Sequence, residues 1–193
     1  MARLYLITHA HTQIDPAIDA THWQLSPAGQ AQADALAALP FWADIDRILV
    51  SSEVKTHLTI APVLARRAIP VIADSRFDEV LRPGWIEEYG AQVQAFFAAP
   101  AQAVGGWEVA THALRRFLAG LQAHLAPAAD EQLALVSHGL VLSLYRAHLL
   151  KLPAADFAAW RQLGFAAVAQ VDLRSSTLAA DFKATMNSPL RAI

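Results

Sequence analysis

Two short apolar segments of this chain end in a histidine. Residues 4–7 (LYLI) are followed by Thr8 and His9, and residues 133–136 (LALV) are followed by Ser137 and His138. An apolar run without alternation is typical of a strand buried on both faces of a parallel sheet, and side chains just past such a strand lie where these folds bind ligands. Since an imidazole can act there as a nucleophile or a proton carrier, His9 is the first candidate for the chemistry.

A third apolar segment, Arg47–Val50, ends in two hydroxyl side chains, Ser51 and Ser52. A helix is predicted directly after this segment, and another directly after His138. Helix N-termini present unpaired N–H groups and a partial positive charge, which together hold phosphate well. Lys55, in the first turn of the earlier helix, is unfavourable against the helix dipole unless it points into water or lies near an anion. If the three segments are neighbours, they predict one crevice for an anion.

The elements that must position these side chains alternate along the chain. Strands are predicted at residues 4–7, 47–50, 69–72, 133–136 and 166–173, and Pro70 indicates an edge strand. Helices are predicted at residues 27–39, from Ser51 and Ser52 to about residue 66, at residues 86–98, 108–125 and 141–150, and from about 153 to 163. Loops are expected at residues 13–25 and 76–85, and the tail beyond Ser175 is expected to pack loosely. This pattern predicts an α/β fold, as one domain over residues 1–193 with a mainly parallel sheet flanked by helices.

The composition argues against several classes of partner. Lys and Arg number 15 against 17 Asp and Glu, for a net charge of −2, and the absence of a basic run makes a nucleic acid an unexpected partner. The apolar runs are shorter than the roughly 18 residues of a membrane helix, and the amino-terminal run is too short for a secretory signal. The chain has no cysteine, so disulfides and thiolate metal sites are excluded. These features favour a cytoplasmic protein.

Five motifs, taken in order, resemble the histidine phosphatase superfamily, also called phosphoglycerate mutase-like. That superfamily begins with an apolar strand and Arg-His-Gly-x-Thr, where this chain has Thr8, His9 and Thr12. The other four motifs are matched by Leu25, Ser26, Gly29, Gln32 and Ala33, by Ser51, Ser52, Lys55 and Thr59 with one residue deleted, by Arg76, Phe77, Asp78 and Glu79, and by Val136, Ser137, His138 and Gly139. The resemblance covers nearly the whole chain and implies a three-layer sandwich.

A finer likeness is to a bacterial branch of that superfamily. Its first motif has Thr-His in place of Arg-His, its second is Ser-Ser-x-Glu-x-Lys, and a Gly-Trp-Glu motif follows later. In this chain the later motif consists of Gly106, Trp107 and Glu108.

The resemblance implies a phosphomonoester hydrolase that acts on a small phosphorylated substrate and needs no metal or other cofactor. His9 would attack phosphorus through its unprotonated ring nitrogen while a backbone carbonyl holds the other, and water would then hydrolyse the phosphohistidine. His138 would bind the phosphoryl oxygens and stabilise their charge. Glu79 would be the general acid and then the general base, with Asp78 as the reserve candidate.

The predicted phosphate site includes Thr8, Thr12, Lys55, Arg82 and Ser137. Thr8 departs from the superfamily, because it replaces an arginine that contacts the phosphate. A unit charge at 4 Å contributes about 4 kcal/mol at an effective dielectric of 20, so another group should supply it. Arg82 is the first choice for that cation.

Two alternatives to a phosphohistidine enzyme stay open. The first is a zinc-dependent hydrolase built on His9 and His11, with Asp15, His22 and His138 as further ligands. The second is a phosphatase-like protein that binds phosphoesters but has lost turnover along with the missing arginine. His11 is also the second choice for the replacement cation.

Overall fold

Six strands form one mixed sheet in the computed structural model, which describes residues 2–125 and 130–186. The strands are β1 (Arg3–Thr8), β2 (Arg47–Val50), β3 (Val71–Ala73), β4 (Gln132–Ser137), β5 (Ala167–Asp172) and β6 (Thr177–Ala184). Their order across the sheet is β3-β2-β4-β1-β5-β6. The pairs among β1 to β4 are parallel, whereas β5 pairs antiparallel with both of its neighbours.

Six α-helices and three short 3-10 helices connect these strands in the described ranges. The α-helices are α1 (Pro27–Ala37), α2 (Val54–Leu64), α3 (Tyr89–Ala98), α4 (Ala110–His124), α5 (Gly139–Leu149) and α6 (Phe157–Gln162). The 3-10 helices are Ala20–His22, Pro40–Asp44 and Ser75–Phe77. None of the helices in this part of the chain combines the length and apolarity required to cross a membrane.

The apolar side chains of the strands divide between two cores, one on each face of the sheet. Leu4 and Leu6 of β1 pack in a core with residues of α3, α4, α5 and α6. Tyr5 and Ile7 point to the opposite face and pack with residues of α1 and α2. Because successive residues of a strand face opposite ways, a continuous apolar run fills both cores. The helices therefore cover both faces, as the predicted three-layer α/β sandwich requires.

The parallel strands end together at one edge of the sheet. In the β1–β4 pair Thr8 lies opposite Ser137, and in the β2–β4 pair Val50 lies opposite Val136. The residues that follow these strands therefore start from the same edge. The fold thus confirms that the three apolar segments of the sequence are neighbours.

The carboxyl-terminal part of the described chain differs from the prediction of a loose tail. Thr177–Ala184 forms β6 and pairs antiparallel with β5, and Leu178 and Phe182 pack against the core. The two apolar side chains, four residues apart, give this strand a face that packs on the protein. Residues 187–193 of the predicted tail lie outside the described residues.

Two helix starts also differ from the prediction, whereas the edge strand agrees with it. The last helix begins after Asp156, whose side chain accepts a hydrogen bond from the Ala158 N–H, rather than near Pro153. The helix expected from residue 86 begins at Tyr89. β3 lies at the sheet edge, as Pro70 indicates.

Candidate active site

His9 and His138 lie side by side at the carboxyl edge of the sheet. Their ring centroids are 5.3 Å apart and the ring planes are inclined by 56°. The His9 backbone N–H donates to the Ser137 carbonyl at 2.9 Å, which ties the ends of β1 and β4 together. His9 is 7% exposed and His138 is fully buried. Two imidazoles at this separation can contact the same phosphoryl group.

A backbone carbonyl fixes the orientation of the His9 ring. His9 Nδ1 lies 2.8 Å from the carbonyl oxygen of Ala10, which can only accept a hydrogen bond. In the neutral ring the proton is therefore on Nδ1 and the lone pair is on Nε2. This is the tautomer that a nucleophilic histidine requires.

His138 is held by a chain of hydrogen bonds that ends on a carboxylate. Ser51 Oγ donates to Asp78 Oδ1 at 2.7 Å and lies 2.8 Å from His138 Nε2. Because the single hydroxyl proton of Ser51 is used on Asp78, Nε2–H of His138 must donate to Ser51. Asp78 also accepts hydrogen bonds from the backbone N–H and the hydroxyl of Ser52, both at 2.7 Å. Ser51 and Asp78 thus orient the second histidine.

Glu53 contacts three residues of the site: His138, Glu79 and Lys55. Its Oε1 lies 3.4 Å from His138 Nε2 and accepts the Glu79 N–H at 2.8 Å. Its Oε2 pairs with Lys55 Nζ, which also donates to the Ala20 carbonyl at 2.6 Å. The side chains of Glu53 and Lys55 are each 5% exposed. The positive charge of Lys55 is therefore balanced within the protein before any ligand binds.

Glu79 occupies the N-terminus of α5. Its carboxylate accepts the N–H groups of Leu140 at 3.0 Å, Val141 at 3.1 Å and Val80 at 3.0 Å. A carboxylate in this position satisfies donors that the helix itself leaves unpaired. The anion at this helix N-terminus is therefore Glu79, and not the phosphate that the sequence alone suggests there.

Arg82 lies against two aromatic rings close to these acidic groups. Its guanidinium is 5.2 Å from the Tyr89 ring centroid and 5.9 Å from that of Trp107, and Nη1 donates to the Tyr89 hydroxyl at 3.1 Å. Burial disfavours the charged form, but Tyr89, Glu79 and Glu53 favour it more, so the pKa of Arg82 is raised. Arg82 is a permanent cation beside the site.

The His11 ring contacts Ser26 and Phe165. Its Nδ1 lies 2.8 Å from Ser26 Oγ, and its ring meets Phe165 edge to face at a centroid distance of 5.0 Å. Burial lowers the pKa of His11 below its usual value, which favours the neutral ring at neutral pH. His11 is therefore a poor source of the missing positive charge.

The sequence profile of the histidine phosphatase superfamily (branch 1) matches residues 4–182. The chain belongs to this superfamily. No curated protein sequence matches the chain closely enough to add a relative.

Several solved structures resemble this histidine phosphatase over nearly its whole length. A mycobacterial glucosyl-3-phosphoglycerate phosphatase in complex with vanadate is 25% identical with a TM-score of 0.72, and the match covers 95% of this chain and 99% of that one. YhfR of Bacillus stearothermophilus is 20% identical with a TM-score of 0.80, at 97% and 98% coverage. A phosphoserine phosphatase mutant of Entamoeba histolytica in complex with phosphoserine is 17% identical with a TM-score of 0.69, at 96% and 98%.

The Leu25–Ala33 signature of the superfamily has a physical role in this chain, which is to hold the loop after β1. The Ser26 N–H donates to the His11 carbonyl at 3.0 Å, and the His11 N–H donates to Gln32 Oε1 at 2.8 Å. A Cβ on Gly29 would lie 1.9 Å from the His11 carbonyl oxygen. Only glycine lets α1 come this close to the loop that carries His9 and His11.

Three of the residues predicted for the phosphate site are engaged elsewhere. The Thr8 hydroxyl donates to the Gly164 carbonyl at 2.9 Å and accepts the Ala167 N–H at 2.9 Å, so it joins β1 to the start of β5. The Ser137 hydroxyl donates to the Phe77 carbonyl at 2.6 Å. Lys55 is paired with Glu53. The structure does not bring these three polar groups to the crevice as ready phosphate ligands.

Thr12 and Arg82 remain as predicted phosphate ligands of this superfamily member. Thr12 is 6% exposed and forms a single antiparallel bridge with Leu25. Two of the predicted phosphate ligands, Lys55 and Arg82, are cations. Within the described residues Lys55 is paired with a carboxylate and Arg82 is not, since its contacts are to the Tyr89 hydroxyl and two aromatic rings.

Glu53 is a site residue that the sequence reasoning missed. It follows Ser52 directly, so its position next to the Ser-Ser motif was the feature of the sequence that could have identified it. Buried carboxylates are rare unless they are paired, and Glu53 is 6% exposed. Only the fold shows that its two oxygens reach different partners.

The zinc alternative finds no support in the arrangement of its ligands. Among residues 2–125 and 130–186, no three His, Asp or Glu side chains converge closely enough to hold a metal ion. The Nδ1 atoms of His9 and His11 bind different partners, the Ala10 carbonyl and the Ser26 hydroxyl. The two histidines of the first motif thus make separate contacts.

Proposed function

We propose that this protein hydrolyses phosphomonoesters through a phosphohistidine formed on His9. The observation that carries the proposal is the 5.3 Å separation of the His9 and His138 rings, combined with the hydrogen bond from His9 Nδ1 to the Ala10 carbonyl. The first supports two imidazoles that reach one phosphoryl group, and the second supports a lone pair on His9 Nε2.

The proposed reaction has two steps. His9 Nε2 attacks phosphorus and the bond from phosphorus to the ester oxygen breaks. Glu79, which is ionised in the free protein, takes the proton that the phosphomonoester monoanion brings and passes it to the departing oxygen. Water then attacks the phosphohistidine while Glu79 takes one of its protons, and inorganic phosphate leaves. His138 and Arg82 stabilise the charge on the phosphoryl oxygens in both steps.

The rim of the crevice favours an uncharged leaving group. Two loops, residues 13–25 and 79–88, form this rim. Trp23 of the first and Trp85 of the second have ring centroids 6.3 Å apart. Ile18 and Leu81, from the same two loops, are exposed. Residues 13–25 contain two aspartates and no Lys or Arg, and the other loop contains Arg82 as its one cation between residues 79 and 88. A leaving group with its own carboxylate would meet apolar and acidic surroundings, so the proposed substrate class is a phosphomonoester whose alcohol part carries no charge.

The decisive experiment traps the intermediate. Wild-type protein is mixed with a radiolabelled aryl phosphate, quenched in alkali and digested, and the labelled peptide is expected to contain His9. His9→Ala should give no label and no turnover, while a chelator should leave the wild-type rate unchanged. Turnover that survives in His9→Ala would contradict the proposed nucleophile.

The same experiment separates the two alternatives. A protein that binds phosphoesters without turnover would give saturable binding but neither label nor inorganic phosphate. A metal-dependent hydrolase would lose activity to the chelator and recover it with zinc.

A further inference from the structure

Arg116 on α4 donates hydrogen bonds to four carbonyl groups of the acidic segment, residues 75–79. Its Nη1 donates to the carbonyls of Ser75 at 3.2 Å, Arg76 at 2.9 Å and Asp78 at 3.1 Å, and its Nη2 donates to that of Glu79 at 3.2 Å. The Arg116 side chain is 21% exposed. One guanidinium therefore fixes the path of most of this segment.

Glu108 pairs with Arg116 and also binds the backbone just after this segment. It accepts Arg116 Nη2 at 2.9 Å and Nε at 3.1 Å. The Glu108 carboxylate also accepts the Leu81 N–H at 3.1 Å, and the Glu108 N–H donates to the Leu81 carbonyl at 2.8 Å. The pair thus holds the backbone on both sides of Glu79, up to the residue before Arg82.

We propose that Arg116 is a positioning residue for the general acid Glu79, and that Glu108 orients Arg116. This inference rests on the proposed function. The held segment leads to Arg82 and carries two groups of the site: Asp78, which orients His138 through Ser51, and Glu79 at the N-terminus of α5. Arg116 contacts their backbone alone, so it acts on the reaction by fixing where these side chains start.

Lysine cannot reproduce this arrangement. A guanidinium has five N–H donors in a planar fork. Arg116 directs them to six oxygens, four carbonyl and two carboxylate, and the two N–H groups of Nη1 are shared among three of the carbonyls. An ammonium group has three donors on one nitrogen, so it keeps the charge but loses most of these contacts. Arg116→Lys therefore loosens the segment without leaving Glu108 unpaired.

The test compares two esters that differ in how much they need an acid. In Arg116→Lys, kcat/KM for an alkyl phosphate, whose alkoxide must be protonated as it leaves, should fall about 10- to 100-fold. For 4-nitrophenyl phosphate, whose phenolate leaves unaided, it should fall less than about threefold. The ratio kcat/KM is the correct measure because it reports the step in which the leaving group departs. Glu79→Gln should show the same selectivity more strongly, and Arg115→Lys, an exposed neighbour on α4, should show no change.

The outcomes separate this inference from the proposed function. Equal losses on both esters, or no loss, would overturn the positioning role while leaving the phosphatase intact. A wild-type protein inactive on both esters would instead overturn the proposed function. If Arg116→Lys does not fold, Glu108→Gln keeps the guanidinium and removes the charge that orients it, and the same selective loss on the alkyl ester is expected.

Discussion

His138 Nε2 lies 2.8 Å from Ser51 Oγ, and that hydroxyl donates in turn to the carboxylate of Asp78. The second histidine is thus oriented by a residue from the end of β2 and by another from the acidic segment. Glu53 adds a second carboxylate 3.4 Å from the same nitrogen. One carboxylate directly, and a second one through a hydroxyl, thus fix the orientation of the His138 ring.

Replacing Ser51 by alanine should uncouple His138 from Asp78. The loss of a hydrogen bond to a charged network, about 1.5–3 kcal/mol, predicts a kcat about 10- to 100-fold lower with a small change in KM. Ser52→Ala is the matched control, because Ser52 Oγ contacts Asp78 but not His138. Steady-state kinetics on an aryl phosphate check this, and equal effects of the two variants would contradict the role given to Ser51.

Arg82→Ala should weaken the binding of phosphate and vanadate. In this hypothesis Arg82 supplies the positive charge of the arginine whose position Thr8 occupies. The loss of a charge-assisted contact predicts an inhibition constant about 10- to 100-fold higher. Arg82→Lys should recover part of this affinity, and Tyr89→Phe, which keeps the ring under the guanidinium, should change it little. Unchanged affinity in Arg82→Ala, measured by competitive inhibition, would remove Arg82 from the phosphate site.

The parts of this protein that could be predicted are those set by local pattern. Unalternating apolar runs predicted the central strands, and Ser26 before Pro27 predicted the start of α1, where Ser26 accepts the Gly29 N–H. The position of His9 and His138 at one sheet edge followed from the rule that parallel strands end together.

The parts that could not be predicted depend on where polar side chains find partners. A hydroxyl after a strand can face a ligand or a neighbouring carbonyl, and Thr8 and Ser137 both take the second course. A lysine in a first helical turn can face a bound anion or a carboxylate at the start of its own helix, and Lys55 pairs with Glu53, the residue before α2. Spacing in the sequence does not distinguish these choices, because each depends on contacts between distant segments.

Asp74 should make the stability of the protein fall in acid. Its carboxylate accepts hydrogen bonds from Arg76 and lies 2.7 Å from His124 Nε2. The Arg76 guanidinium holds the pKa of Asp74 well below its usual range, against the opposing effect of burial. Because the unfolded chain takes up this proton near pH 4 and the folded chain does so only at lower pH, the stabilisation is complete above about pH 5 and is lost as the pH falls below about 4.

Asp74→Asn is therefore expected to melt at a lower temperature than the wild type at neutral pH and to lose less between about pH 5 and pH 3. Melting temperatures from circular dichroism across this range check it. Asp34→Asn, on an exposed position of α1, serves as the control and should follow the wild-type curve. A wild-type protein whose melting temperature does not drop more steeply than that of Asp74→Asn would contradict the assignment.

Gly29→Ala should both destabilise the protein and slow catalysis. The added methyl group would lie 1.9 Å from the His11 carbonyl oxygen, so α1 or the loop at residues 9–12 must move. Overpacking of this kind costs about 1–3 kcal/mol, which corresponds to a melting temperature lower by about 3–10 °C. A shift of the loop also moves His9, so kcat should fall along with the melting temperature.

The sign of this change makes the test sharp. In an open helix position, alanine in place of glycine stabilises by about 0.5–1 kcal/mol, since glycine has the greater freedom to lose on folding. Gln30→Ala, at an exposed position in the same helix, gives the size of an ordinary alanine substitution in α1. A Gly29→Ala protein with a raised melting temperature and normal kcat would show that helix propensity decides at this position, and that the contact between α1 and the His11 carbonyl does not hold the loop.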